Sequence, residues 1–114
     1  MITLDSLKNY GADVATGMAR CMNNEAFYLR LVNMELKDGN FAKLQDALAA
    51  GDVHAAFEAA HALKGATGNL ALSPIYDPVA KLTELLRSAD APVDTGDLLP
   101  QVVNAYEALK AMAE

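Results

Sequence analysis

Apolar residues recur every three or four positions along most of this sequence, which is the spacing of an amphipathic helix. Two short helical stretches are predicted at 5–10 and 14–21, on either side of a glycine. Longer helices are predicted over 52–70, 79–88 and 95–112. No run alternates apolar and polar residues for long enough to predict a strand. We therefore expect an all-α fold.

The segment 24–50 carries an apolar stripe that continues across a polar interruption. Six residues share this helical face: Phe27, Leu31, Met34, Phe41, Leu44 and Leu48. Asn24 suits the N-cap of a helix, and the polar run 38–40 interrupts the stripe without changing its phase. One long bent helix and two stacked helices are both consistent with this pattern.

Glycine and proline residues mark the remaining helix ends. Gly51 ends one helix and Asp52 caps the next. A proline-rich loop is predicted at 73–78, with Pro78 in the first turn of the following helix. That helix carries an apolar stripe of four residues: Val79, Leu82, Leu85 and Leu86. The last helix, which follows a break at 91–94, is expected to bury Leu98 or Leu99, Val102, Val103, Tyr106 and Leu109.

Four sizeable amphipathic helices joined by short connections predict an antiparallel four-helix bundle. We expect the bundle to occupy 24–113 and the short helices of 1–22 to pack across one end of it. The whole chain, 1–114, is then a single domain of ordinary size.

Composition and charge limit the partners and the cellular compartments that suit this protein. A net charge of −6 argues against nucleic acid and against anionic membranes, since both need a basic face. The most apolar stretch, 47–63, is interrupted by charged residues and is too polar to span a bilayer. The start of the chain lacks the pattern of a signal peptide, and a lone cysteine, Cys21, suits a reducing compartment. We expect a cytoplasmic protein.

The helix predicted over 52–70 carries one histidine beside its apolar stripe. His61 lies about 100° around the helix from its buried neighbour, at the edge that faces water. Lys64, Gly65 and Gly68 stand three, four and seven residues later and share its face. Two glycines inside a helix each cost about 1 kcal/mol relative to alanine, so helix stability alone does not explain them. They clear the surface beside an exposed imidazole, so that another protein can approach it.

An imidazole in such a cleared patch suits a phosphoryl acceptor. Neutral imidazole is nucleophilic at cytosolic pH, and the Lys64 ammonium offsets the charge of the phosphohistidine product. The sequence has neither a glycine-rich phosphate loop nor an acidic metal site. We therefore expect no kinase machinery and no cofactor in this chain. The parts that bind ATP and Mg²⁺ must come from a partner.

Residues 61–70, with the sequence HALKGATGNL, resemble the signature of histidine-containing phosphotransfer (HPt) domains. The signature has an alanine-histidine pair, an apolar residue before Lys-Gly, and a second glycine three residues later. Weaker similarity in 24–28, 51–52 and 82–87 extends the resemblance over about 10–112. The proline-rich connection after the signature departs from the usual family pattern.

The resemblance implies a four-helix bundle whose histidine relays phosphoryl groups between receiver-domain aspartates in two-component signalling. It implies that His61 is the phosphoacceptor, that Lys64 is the cation beside the phosphoryl group, and that Gly65 and Gly68 give the receiver room. The expected partners are response-regulator receiver domains, a hybrid histidine kinase, or both. Mg²⁺ is expected only on the receiver. We expect a free-standing monomer.

Structural explanations compete with these assignments. Lys64 can pair with a nearby acid, and Gly65 and Gly68 can admit a neighbouring helix. His54 lies on almost the same face as the phosphoacceptor candidate but lacks lysine and glycine at the matching offsets. We expect His54 and Glu58 at the rim of a partner site. A metal shared by the two histidines is disfavoured, because helical metal sites use ligands four residues apart.

The main functional alternative is a helical adaptor that is never phosphorylated and acts only by covering a receiver or kinase surface. The relay is favoured because an adaptor has no need for His61 together with Lys64. A metal-binding bundle is a distant third possibility, since it lacks a second ligand at a workable spacing.

Overall fold

The computed structural model describes residues 1–114, and helices are its only regular secondary structure. In chain order they are α1 (Leu4–Tyr10), α2 (Val14–Arg20), α3 (Glu25–Glu35), α4 (Asn40–Ala50), α5 (Val53–Asn69), α6 (Ser73–Leu86) and α7 (Leu98–Met112). The prediction of an all-α fold is confirmed. None of these helices combines the length and the apolar character that crossing a bilayer requires.

The last four helices form the body of the molecule. α5 packs against both α4 and α6, and α7 packs against α6. The stacked rings of Phe41 and Tyr106, with centroids 3.8 Å apart, join α7 back to α4. Because only two or three residues connect α4 to α5 and α5 to α6, neighbouring helices run in opposite directions. One cluster of 23 buried residues fills the interior.

α1 and α2 contact the bundle near the place where α5 meets α6. The backbone N–H of Asp13 donates to the Ala71 carbonyl over 2.9 Å. The Tyr10 hydroxyl donates to the Ala105 carbonyl of α7 over 2.7 Å. Gly17 of α2 lies against the buried Tyr28 ring of α3, at a place where a Cβ atom would come within 2.6 Å of that ring. These contacts join the N-terminal helices to the same core.

Segment 24–50 forms two helices rather than one bent helix. The Asn24 side chain caps α3 by accepting a hydrogen bond from the Phe27 N–H over 3.1 Å. α3 ends at Glu35, and the Asp38 carboxylate then accepts hydrogen bonds from the backbone and side-chain nitrogens of Asn40, both at 2.9 Å. This turn separates α3 from α4.

The buried face of α3 differs from the predicted stripe. Tyr28 and Val32 are completely buried, whereas Phe27 and Leu31 are only half-buried and Met34 is 59 % exposed. The predicted stripe assumes the same helical periodicity on both sides of the polar interruption. That assumption holds only if the helix is continuous. Because the helix is interrupted there, the buried face of α3 is centred on Tyr28 and Val32 instead of on the predicted stripe.

The stretch 73–78 is the beginning of α6, so the predicted loop is wrong. Pro74 lies in the first turn, where a missing N–H leaves no hydrogen bond unmade. Pro78 lies inside the helix and removes one backbone hydrogen bond. Its ring is nevertheless buried, and Ile75 nearby is 0 % exposed. Packing against the core therefore outweighs the local signal for a loop.

The apolar stripes of the last two helices are narrower than the sequence predicts. In α6, Leu82 and Leu86 are buried, but Leu85 is 41 % exposed. In α7, Val102 and Leu109 are buried. Four further predicted core residues of α7 are only half-buried: Leu98, Leu99, Val103 and Tyr106.

Glu35 ends α3 with a buried carboxyl group. Glu35 is 9 % exposed, and its Oε2 atom has no hydrogen-bond partner. Burial, together with the nearby Asp38, raises the pKa of Glu35 to about 8. The unfolded chain titrates near the ordinary value of 4.5, so the folded state holds an extra proton between these two pH values. Stability from this group is present below pH 4.5 and is lost as the pH rises towards 8.

We therefore expect Glu35→Gln to be more stable than the wild type at pH 8, by about 4 kcal/mol, since the amide stays neutral. At pH 4.5, where the wild-type carboxyl is protonated, the two proteins should be nearly equal. Urea denaturation at both pH values measures the difference, with Glu58→Gln as an exposed control. A difference that does not change with pH would contradict the raised pKa.

Candidate functional site

An open cleft of about 600 Å³ lies between α2, the C-terminal half of α5 and the start of α6. Its lining residues are Asp13, Thr16, Arg20, His61, Lys64, Gly65, Gly68, Asn69, Ala71, Ser73, Tyr76 and Asp77. The four residues to which the sequence assigns phosphoryl transfer, from His61 to Gly68, thus lie together in one cleft.

The orientation of α5 about its own axis places His61 on the side of the helix that lines the cleft. The Asp52 carboxylate caps the helix by accepting a hydrogen bond from its first turn over 3.1 Å. Ala60, Leu63 and Thr67 are 0 % exposed and fix the opposite face in the core. His61 follows Ala60 directly and is exposed. The imidazole is therefore held on a rigid helix while it remains accessible.

Phe57 lies one turn before His61 and supports one face of its ring. The two ring centroids are 5.6 Å apart and the ring planes differ by 20°. The guanidinium carbon of Arg87, from α6, lies 5.4 Å from the Phe57 centroid. The Phe57 ring thus contacts one face of the imidazole, while His61 as a whole remains exposed.

Lys64 is held by an acid of α6. Its Nζ lies 3.7 Å from Oε1 of Glu84. The same carboxylate accepts hydrogen bonds from Nε and Nη2 of Arg87, at 3.1 and 2.9 Å. The hydrogen bond from Arg87 lowers the pKa of Glu84 and keeps the carboxylate ionised. The ion pair that the sequence left open is thus present, but it is exposed, and surface pairs hold their partners weakly.

The two glycines on this face have different surroundings. A Cβ atom at Gly65 would have nothing within 4 Å, so this glycine leaves the surface beside the histidine open. A Cβ atom at Gly68 would lie 2.8 Å from Cε1 of Tyr76. Gly68 therefore admits a side chain of α6, as the structural alternative supposed. Its part in receiver clearance stays a prediction.

The glycine pair supports a direct stability prediction. Gly65→Ala should stabilise the protein by up to about 1 kcal/mol, because alanine is the better helix former and the site is open. Gly68→Ala has the same propensity gain but forces the Tyr76 ring to move. We expect it to be less stable than Gly65→Ala by at least about 1 kcal/mol. Urea denaturation compares the two, and equal stabilities would contradict the tight Gly68–Tyr76 contact.

Arg20 is a second cation of the cleft, which the sequence analysis missed. It ends α2, and its Nη1 donates a hydrogen bond to the Gly68 carbonyl. Asp13 and Asp77 also line the cleft, so its charge is mixed. Arg20 and Gly68 are 48 positions apart. No local pattern connects residues so distant, and only the packing of α2 against the end of α5 brings them together.

His54 and Glu58 do not line this cleft. His54 is exposed two turns before the phosphoacceptor candidate, and Glu58 borders a separate groove of about 420 Å³ between α4 and α5. A role for either residue at the rim of a partner site stays a prediction. No three His, Cys, Asp or Glu side chains converge anywhere in the chain to form a candidate metal site.

Comparison with known proteins identifies one family. The family model of the Hpt domain matches residues 38–112, which run from just before α4 to the end of α7. The match includes all of α5 but begins later than the resemblance, so α1 to α3 lie outside it. Searches of curated proteins and of solved structures returned no match. With most of its length matched, the chain belongs to the Hpt domain family, whose members act as histidine phosphotransfer modules in phosphorelay signalling.

Proposed function

We propose that this chain is a phosphorelay intermediate that accepts a phosphoryl group on His61 from a receiver aspartyl phosphate or a kinase. It then passes that group to another receiver domain. The observation that carries the proposal is the exposed His61 imidazole beside the open surface at Gly65. Lys64 and Arg20 line the same cleft and supply positive charge. The chain acts as a cytoplasmic monomer and depends on its partners for ATP-driven chemistry.

The transfer is an in-line displacement at phosphorus. The unprotonated imidazole nitrogen of His61 attacks the aspartyl phosphate, so that an N–P bond forms while the P–O bond to the aspartate breaks. The aspartate leaves as a carboxylate, and the imidazole keeps its proton on the other ring nitrogen. The receiver supplies Mg²⁺, which stabilises charge on the transferring oxygens. Transfer to a second receiver runs the same step in reverse.

Lys64 is expected to change partners during this reaction. In the unphosphorylated chain its ammonium lies beside Glu84. A phosphoryl group on His61 brings more negative charge than one carboxylate and sits one helical turn away. Because the Lys64–Glu84 pair is exposed, little holds it together against that competition. We infer that Lys64 leaves Glu84 and contacts the phosphoryl group.

Glu84→Gln is accordingly expected to speed phosphorylation of His61 by a small donor such as phosphoramidate, by about two- to fivefold at low salt. The neutral amide no longer competes for Lys64. The effect should shrink as salt screens the exposed charges. Intact-mass time courses measure the rate, with Glu107→Gln as the control, since that glutamate pairs with Lys110 of α7 instead. A slower rate in Glu84→Gln would contradict the competition.

Receiver docking is proposed to cover the cleft and the adjoining surface of α3. The half-buried Leu31 and the exposed Met34 form an apolar strip there, across from the C-terminal half of α5. Such a strip gives a docked protein apolar area without a deep pocket. The complex should be transient and of modest area, as signalling encounters often are.

The relay is tested by isolating the phosphorylated chain and adding a purified receiver domain with Mg²⁺. The proposal predicts that the label leaves the chain and appears on the receiver aspartate. A chain that is chemically phosphorylated but transfers to no receiver of a tested panel would overturn it.

The adaptor alternative has one observation in its favour. Lys64 is already engaged by Glu84, so the resting surface is not built solely around a phosphoryl group. An adaptor would bind its receiver or kinase equally well after His61→Gln and would acquire no label from phosphoramidate. These two results together would favour the adaptor over the relay.

A further inference from the structure

A smaller pocket of about 310 Å³ lies between α3 and the C-terminal half of α5. Its walls are mostly apolar, with Leu31 and Met34 on α3 and Ala66 on α5. Glu35 lines the pocket, and Asn69 lines both this pocket and the cleft that contains the phosphoacceptor. The two depressions therefore belong to one continuous surface, which a single docked protein can cover.

The carboxyl group of Glu35 has no cation beside it in the fold, and the neighbouring acid Asp38 helps to raise its pKa. The residue is 9 % exposed, and Oε2 has no hydrogen-bond partner. A buried carboxyl oxygen without a partner is unfavourable, so such a group is unusual without a function. Asp38 is the other charged residue of the pocket, and the opposite wall consists of Ala66 and Asn69 of α5 and Leu70 just after it. No cation of the chain is present to satisfy Glu35.

We infer that this pocket binds an arginine side chain of the docked receiver, with the guanidinium on the Glu35 carboxylate and the methylene stem against Leu31 and Met34. The inference rests on the proposed function and names a contact that would select among receivers. Apolar walls that include an acid match a long side chain that is apolar along its stem and charged at its head. Arginine suits a partly dehydrated site better than lysine, because its guanidinium is more weakly hydrated.

Binding of the guanidinium should release a proton. In the empty pocket the raised pKa of Glu35, about 8, keeps the carboxyl protonated at neutral pH. Pairing with a cation requires the carboxylate, so the proton leaves to solvent as the guanidinium enters. Affinity should therefore rise with pH by up to about tenfold per unit between pH 6 and 8, and then level off.

An NMR titration of the full chain with propylguanidinium, a small stand-in for the arginine side chain, tests the inference. Propylurea is the matched neutral probe, because it has nearly the same shape without the charge. The expected shifts are confined to the α3 and α5 residues around the pocket, appear only with propylguanidinium, and follow the predicted pH dependence. Glu35→Gln should abolish them, whereas Glu58→Gln, in the separate α4–α5 groove, should leave them unchanged.

Equal binding of propylurea, retained binding in Glu35→Gln, or shifts spread over all acidic residues would each overturn the inference. The Gln variant replaces a carboxyl that is neutral at pH 7, so it should fold. The pH dependence in the wild type provides a test that needs no variant. Phosphoramidate labelling of His61, measured on the same samples, separates failure of this pocket from failure of the relay itself.

Discussion

His61→Gln is expected to abolish phosphoryl acceptance and to leave the fold intact. The imidazole is exposed on α5 and stacks on Phe57, so its removal leaves no cavity in the core. Glutamine keeps similar polarity and bulk but has no nucleophilic nitrogen lone pair. Incubation with a phosphorylated receiver, followed by intact-mass analysis, should give a labelled wild type and an unlabelled variant.

His54→Gln is the matched control for this experiment. It removes the second histidine of the same helix face, which lies outside the cleft. We expect it to accept phosphoryl groups from phosphoramidate, a donor too small to need the partner site, at the wild-type rate, and both variants should unfold at wild-type urea concentrations. Label retained in His61→Gln and lost in His54→Gln would place the acceptor on His54 and contradict the assignment.

Gly65→Phe is expected to slow transfer from a receiver by at least about tenfold, with little change in labelling by phosphoramidate. A Cβ atom at this site has no neighbour within 4 Å, so the larger side chain begins at open surface. Its phenyl ring would occupy the space through which a receiver reaches His61, whereas a small donor can approach around it. The measurement compares the two labelling rates in the same variant.

Gly65→Ala is the control, because a single methyl group adds little bulk and should preserve most of the receiver transfer. Gly68 is less suitable for this purpose, since a side chain there displaces Tyr76 and alters the start of α6. Receiver transfer at the wild-type rate in Gly65→Phe would contradict the docking route over this glycine. Equal loss with both donors would instead indicate damage to the histidine itself.

The all-helical fold follows from sequence periodicity, and its errors occur where local and tertiary preferences disagree. Asp52 and Gly51 mark a helix junction by local hydrogen bonding and a left-handed backbone, so the sequence predicts that junction correctly. At Pro78 the local preference favours a loop, but burial against the core extends α6 through it. The number of helices in 24–50 cannot be predicted for a similar reason. An apolar stripe shows which residues share a helical face, but it does not show whether the helix is interrupted.

The same distinction between local and tertiary information applies to the residues of the site. His61, Lys64 and Gly65 lie on one helix, so their spacing alone predicts that they share a face. Glu84 and Arg20 reach the site from other helices, and no local pattern indicates them. For Gly68 the sequence leaves both receiver clearance and packing of a neighbouring helix open, and only the structure identifies Tyr76 as its close neighbour. Site residues that come from distant helices can be identified only once the packing of the helices is known.

The measurement that tests the phosphoacceptor assignment most directly is peptide mapping of the chain after incubation with phosphoramidate at neutral pH. We predict one acid-labile phosphoryl group, located on His61, that disappears when a receiver domain and Mg²⁺ are added. A folded protein that acquires no label, or one that carries the label on any other residue, would contradict the assignment.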